Sequence, residues 1–246
     1  MLINKNMKLA DVIHHDYTLV PVINRFGIHL GFGNFTIQEV CKEHNISTGF
    51  FVIILNAFHD PHYFPKERLQ SIRLNILIEY LQKAHTDFLE DKIPEIAFLI
   101  EKMPGECLDD RKTYLLIRNF FLEYSTELKN HITKEEERVY PYVLKLEEAF
   151  LKGETDADIK KQIQDYPISA YEAEHENVEE KLFDLKNIII KYLPKPKSDK
   201  LCFQILREIF SLEKELNEHA RIEDLIIVPK VEAMENALKL KGFGNG

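Results

Sequence analysis

His131-Ile132-Thr133-Lys134-Glu135 and His219-Ala220-Arg221-Ile222-Glu223 are two copies of one pattern, and their reading decides the fold. In both, a glutamate follows a histidine by four residues, and a proline follows the glutamate by six, through Val139-Tyr140-Pro141 and Ile227-Val228-Pro229. A spacing of four puts imidazole and carboxylate on one face of a helix. Two helices carrying the same motif predict halves of a bundle related by a pseudo-twofold axis.

The other histidines extend the pattern. Of ten in the chain, six fall in residues 1–62; the rest are His85, His131, His175 and His219, separated by 46, 44 and 44 residues. A helix plus its loop in an up-and-down bundle takes about forty residues, so these four return to one height, one per helix. Four imidazoles and two carboxylates, Glu135 and Glu223, make the donor set of a dinuclear site. Nitrogen and oxygen donors without sulfur favour iron or manganese over thiolate-type sites, although imidazole also suits zinc; iron is the expected metal, ahead of manganese or zinc. A ferritin-like site would need two Glu-x-x-His motifs. Only Glu172-x-x-His175 fits that form.

Segments around these motifs carry apolar residues at three- and four-residue spacing, as in Leu74, Leu77, Ile78 and Leu81. Four long helices are predicted, over Lys66 to Met103 with a break at Pro94, Asp109 to Phe150, Ser169 to Tyr192, and Ser198 to Lys239. Shorter apolar segments from Lys8 to Phe58 predict a small helical unit. The prolines of His59-Asp60-Pro61-His62-Tyr63-Phe64-Pro65 place the boundary between a domain at 1–62 and a bundle at 63–246.

Composition agrees with an all-α chain: 9 glycines in 246 residues leave few turns for a many-stranded sheet. The net charge of −9 gives no overall footprint for nucleic acid or an anionic bilayer. Cys41, Cys107 and Cys202 are scattered, odd in number and free of C-x-x-C spacing, which excludes a disulfide framework or structural zinc site. With no membrane-spanning or signal-like run, a cytoplasmic protein is expected.

On these residues the sequence resembles the hemerythrin-like di-iron proteins, and more closely the repair of iron centres family, whose members place a short N-terminal domain before a hemerythrin-like four-helix bundle. The resemblance implies that His85, His131 with Glu135, His175, and His219 with Glu223 bind two irons, oxo- or hydroxo-bridged. It implies binding of O2 or NO, a role in nitrosative or oxidative stress, and repair of damaged iron–sulfur clusters, whose proteins would be partners. The family's pair of adjacent N-terminal cysteines is missing here. Gly31 and Phe32 stand in that place, so chemistry that needs those thiols is lost.

Three further readings belong to the sequence. Thr36 to Phe58 resembles a helix-turn-helix, but its second helix, Gly49 to Ala57, has no Arg or Lys, and residues 1–62 carry four basic against five acidic side chains. DNA binding is therefore not expected; the apolar helix would pack on the bundle or on a second subunit in a homodimer. Glu127, four residues before His131, and Glu174, beside His175, are candidates to hydrogen-bond a ligand imidazole or line a route for cations. Two functions compete with cluster repair: an O2, NO or redox sensor without turnover, and a metal-free helical interaction protein.

Overall fold

The structure is a computed structural model, and it describes residues 1–153, 156–174 and 178–242. Among them there are helices and turns but no strand. By its packing the chain divides into two compact units, Met1–Lys83 with Leu225–Ile227, and Ala84–Asp224 with Val228–Gly246.

The first unit holds α1 (Leu9–His15), α2 (Val20–Arg25), α3 (Ile37–Glu43), α4 (Thr48–His59) and α5 (Lys66–Gln70). A capping box starts α3: the Thr36 hydroxyl accepts from Glu39 N–H, and the Glu39 carboxylate accepts from Thr36 N–H at 2.7 Å. The apolar helix α4 packs against α3 and the turn Tyr17–Leu19. It buries Phe51, Ile54, Leu55 and Phe58. Buried Asn56 ties the chain start to α4, its Oδ1 accepting from Ile3 N–H and its Nδ2 donating to Ile3 C=O, both at 2.8 Å. The helix expected from Lys66 onward is divided: the Ser71 hydroxyl donates to the Arg68 carbonyl (2.7 Å), a local bond that competes with the helical ladder. A new helix, α6, then runs over Leu74–Thr86.

The second unit is a bundle of four rods. The first is the end of α6, a π-helical turn at Asp87–Lys92, and α7 (Ile93–Glu101); α8 (Met103–Glu106) is a kinked turn after it. The second is α9 (Arg111–Lys134), a π turn at Glu135–Val139, and α10 (Tyr140–Lys152). After α11 (Ala157–Asp165), the third comprises α12 (Ile168–Glu174) and α13 (Val178–Tyr192). The fourth is α14 (Asp199–Ile222), a π turn at Glu223–Ile227, and α15 (Val228–Gly242). Helices α7 and α13 each pack on both α9 and α14, while α10 and α12 pack on α15. Phe88, Ile117, Phe121, Leu128, Leu185 and Leu212 fill the space between them.

Each π turn is followed, after one residue, by a proline: Pro94, Pro141 and Pro229. Proline has no N–H to give the carbonyl four residues back, and its ring would strike that carbonyl in a regular α-helix. A wider turn just upstream relieves the conflict without ending the rod. Two of the three turns begin at Glu135 and Glu223, so the prolines of the repeated motif shape the backbone that carries the carboxylates.

Leu212→Ala, at a position with no exposed surface, is expected to destabilise the bundle by about 2–5 kcal/mol. Urea unfolding should show a lowered midpoint with native helix content retained before the transition.

Candidate metal centre

The repeated motifs and the first rod bring their polar side chains into the apolar middle of the bundle. His85, Glu135, His219 and Glu223 are all buried, and the donor atoms of His85, Glu135 and His219 lie within 4.8 Å of one another. His85 Nε2 is 3.0 Å from His219 Nε2 and 3.2 Å from Glu135 Oε2. The other oxygen, Glu135 Oε1, is 3.0 Å from His131 Nε2. The Glu135 carboxylate thus spans two imidazoles, one per oxygen. In the fourth rod, His219 Nε2 and Glu223 Oε2 are 3.6 Å apart.

Of the sequence-derived candidates, five are therefore gathered here: His85, His131, Glu135, His219 and Glu223. His175 and the side chain of Glu174 lie outside the described residues. Glu127 pairs with Lys181 on the third rod. The carboxylate that receives a proton donor from an imidazole is instead Glu136, whose Oε1 accepts from His85 Nδ1 at 2.7 Å.

Two tyrosines complete the surroundings. Tyr140 donates to Glu223 Oε1 at 2.7 Å, and its ring lies parallel to that of His85, 3° between planes and 5.6 Å between centroids. Tyr171 donates to Glu135 Oε1 at 2.5 Å. Burial, then the negative charges of Glu223 and Glu135, hold both phenols protonated, well above the usual tyrosine range. They act as fixed donors. Sequence reasoning passes over all three partners: Glu136 adjoins a ligand candidate, Tyr140 reads as an apolar motif position, and Tyr171 stands four residues before His175. The last spacing is the same one that pairs His131 with Glu135.

The electrostatics are those of a cation site. Burial alone would push the His85 imidazole down, but its hydrogen bonds to Glu135 and Glu136 and the charge of Glu135 and Glu223 outweigh this and raise it from 6.5 to about 9. Burial would likewise raise Glu135, yet its bonds to His131 and His85 draw it well below the ordinary carboxylate value. Without a metal, a proton on His85 partly neutralises the buried carboxylates.

The residues present fit a metal ion. Among the described residues, Glu223 Oε2 and His219 Nδ1 are buried without a hydrogen-bond partner, and a buried carboxylate oxygen left so is costly unless a cation faces it. The His85 and His219 Nε2 atoms stand 3.0 Å apart, near enough for both to be donors to one ion. A space of about 10 Å³ among His85, His131, Glu135, His219 and Glu223 has room for about one water-sized particle. Phe88, Leu128, Ile132 and Leu216 wall it with apolar surface.

Residues 77–231, more than half of the chain, match the hemerythrin HHE cation binding domain. The chain belongs to the hemerythrin HHE family. The matched span contains every histidine and glutamate of the repeated motifs. This hemerythrin HHE chain is also 18% identical over 234 residues to the iron-sulfur cluster repair protein ScdA of Staphylococcus haemolyticus (strain JCSC1435), a match that covers 94% of this chain and 99% of that protein. As an HHE domain it binds a metal cation, and the buried His/Glu cluster is the group of donors the structure offers. No helix among the described residues is long and apolar enough to cross a membrane.

Tyr171→Phe removes the donor that holds Glu135 in its spanning position. Metal affinity of the HHE domain, measured by chelator competition, is expected to fall about 10- to 100-fold with the helical spectrum unchanged. An ion that binds His85 Nε2 must also displace its proton. Because that proton is held up to pH about 9, apparent affinity should climb about tenfold per pH unit from neutrality and level off above that value.

Proposed function

We propose that this protein is a non-haem di-iron protein that binds O2 or NO, in nitrosative or oxidative stress response and repair of iron–sulfur clusters. The observation that carries the reading is the posture of Glu135: one carboxylate, wholly buried, with one oxygen toward His131 and the other toward His85. A carboxylate so placed suits a bridge between two ions. In this reading His85 and His219 would hold one ion and His131 the second, with His175 and Glu223 completing the set. The distant likeness to an iron-sulfur cluster repair protein supports the biological context.

When bound, the ion pair would supply open coordination positions and electrons for a diatomic ligand. The chain's own residues do the rest. Tyr140 and Tyr171 orient the two carboxylates by donating to them, so neither can turn away to seek water. Glu136 receives the Nδ1 proton of His85, fixing the ring so that Nε2 faces the site. Phe88, Leu128, Ile132 and Leu216 restrict the approach to small, weakly polar molecules. The N-terminal loop has glycine at positions 27, 31 and 33, with Gly31 at φ 108°, and no thiol. A repair role would therefore rest on the metal centre: removal of NO, or provision of iron.

A sensor without turnover is the second reading, favoured by the tight enclosure of the site, which leaves little space for a larger substrate. Metal analysis of protein purified without added metal should find two irons per chain, with near-ultraviolet charge-transfer bands that vanish on reduction. His131→Ala and His219→Ala should lower the content to one iron or none. Unchanged stoichiometry in both variants would rule out the ligand set. Consumption of NO with a reductant would favour the enzyme, and reversible binding alone the sensor.

A further inference from the structure

A cavity of about 650 Å³ is built wholly from the first unit, by residues between Leu2 and Ile72, and it lies within the size range of small-molecule sites. The start of the chain, the first half of α4 and the end of α5 wall it. These walls are fixed by main-chain bonds. Asn56 holds Ile3 at both its N–H and its carbonyl, 2.8 Å each, and Gln38 N–H donates to the Lys5 carbonyl at 3.0 Å. The Ser71 hydroxyl ties down the Arg68 carbonyl at 2.7 Å. Buried Ile3, Phe50 and Ile53, with half-buried Val52 and Ile72, give the cavity its apolar surface.

The charge in this lining is of one sign. Lys5 and Arg68 belong to it and no acidic residue does, in a chain whose net charge is −9. Neither cation has an ion-pair partner among the described residues. Glu39, beside Gln38, is engaged at the start of α3, where its carboxylate accepts from the Thr36 N–H and hydroxyl at 2.7 and 2.8 Å. Thr48 and Gly49, in the first turn of the twelve-residue helix α4, also line the cavity. Their N–H groups have no partner within the helix and add partial positive charge.

We propose that this cavity binds a free, medium-chain fatty acid as its monoanion, the carboxylate answering Lys5 and Arg68 and the alkyl chain lying on the isoleucines, Val52 and Phe50. The two cations set the charge of the ligand, and a guanidinium matches the two oxygens of a carboxylate. The lining sets the body of the ligand. It is mainly aliphatic, and of its two rings, Phe50 already packs edge-on against Phe26 and Tyr80, at 5.6 and 6.0 Å between centroids. Tyr63 is then left without a second ring to sandwich a flat aromatic group, whereas a flexible chain can follow branched aliphatic side chains. Affinity comes mostly from methylenes removed from water; the exposed cations select the acid over uncharged chains of the same length.

The test titrates the full-length, metal-loaded chain with sodium decanoate below its micelle concentration, read by isothermal calorimetry. Saturable one-to-one binding is expected. Octanoate, with two methylenes fewer to bury, should bind about tenfold more weakly, and decanol, which lacks the charge, about tenfold more weakly as well. Arg68→Gln should weaken decanoate about fivefold and leave decanol unchanged. Lys5→Glu combined with Arg68→Glu should lose decanoate and gain decylamine, a reversal that a misfolded variant cannot show, with metal content unaltered. No saturable binding of decanoate, or decanol bound as tightly as decanoate, overturns the proposal. Equal weakening of decanoate and decanol by Arg68→Gln does so too, since shape and not charge would then be lost. Decanoate binding that survives the double charge reversal would put the carboxylate elsewhere, on the metal ions, and binding to phosphatidylglycerol vesicles without binding of monomeric decanoate would make the surface a membrane contact; either result overturns it.

Discussion

Glu135 and Glu223 are carboxylates sunk in the interior of a helical bundle, and the need to compensate them organises everything around them. A carboxylate taken out of water is tolerated only with donors or cations at its oxygens. The bundle supplies both kinds: phenols from Tyr140 and Tyr171 at 2.7 and 2.5 Å, and imidazoles from His85, His131 and His219. What these and the other described residues do not satisfy, the second oxygen of Glu223 and the far nitrogen of His219, is what a metal and its surroundings would. The same buried charge that destabilises an empty centre therefore draws a cation into it.

Placing those carboxylates is a backbone problem, solved by the π turns. A proline two positions past each turn forbids a regular α-helix there, and the widened turn begins at Glu135 in the second rod and at Glu223 in the fourth. The third such turn, before Pro94, lies just past His85. Local strain in the ladder is thus spent where the donors are. Packing on both sides, Phe88 and Leu128 near the site and Phe121, Ile117 and Leu212 farther along the rods, holds the irregular segments in place.

Much of this was legible in residue order. The interval between His85, His131, His175 and His219, and the duplicated motif with its terminal proline, lead to a helical bundle with a polar centre, and the all-α bundle is what is observed. The supporting contacts were less legible. Glu127 shares a helical face with His131, yet it turns to Lys181, while Glu136, one residue past Glu135, reaches across to His85. Spacing along one helix predicts neighbours on that helix. It is blind to partners on another rod, and the π turn at Glu135 further shifts which residues share a face.

The sequence by itself determined the elements and their order, because apolar periodicity, capping residues and proline placement act over a few residues and need no distant partner. It determined too which residue types could bind a metal. Only the tertiary structure decided which of them converge: that one carboxylate lies between imidazoles of two rods, and that tyrosines from the second and third rods hold the acids. Those are contacts between residues tens of positions apart, and their geometry depends on how side chains from separate helices fill one shared interior.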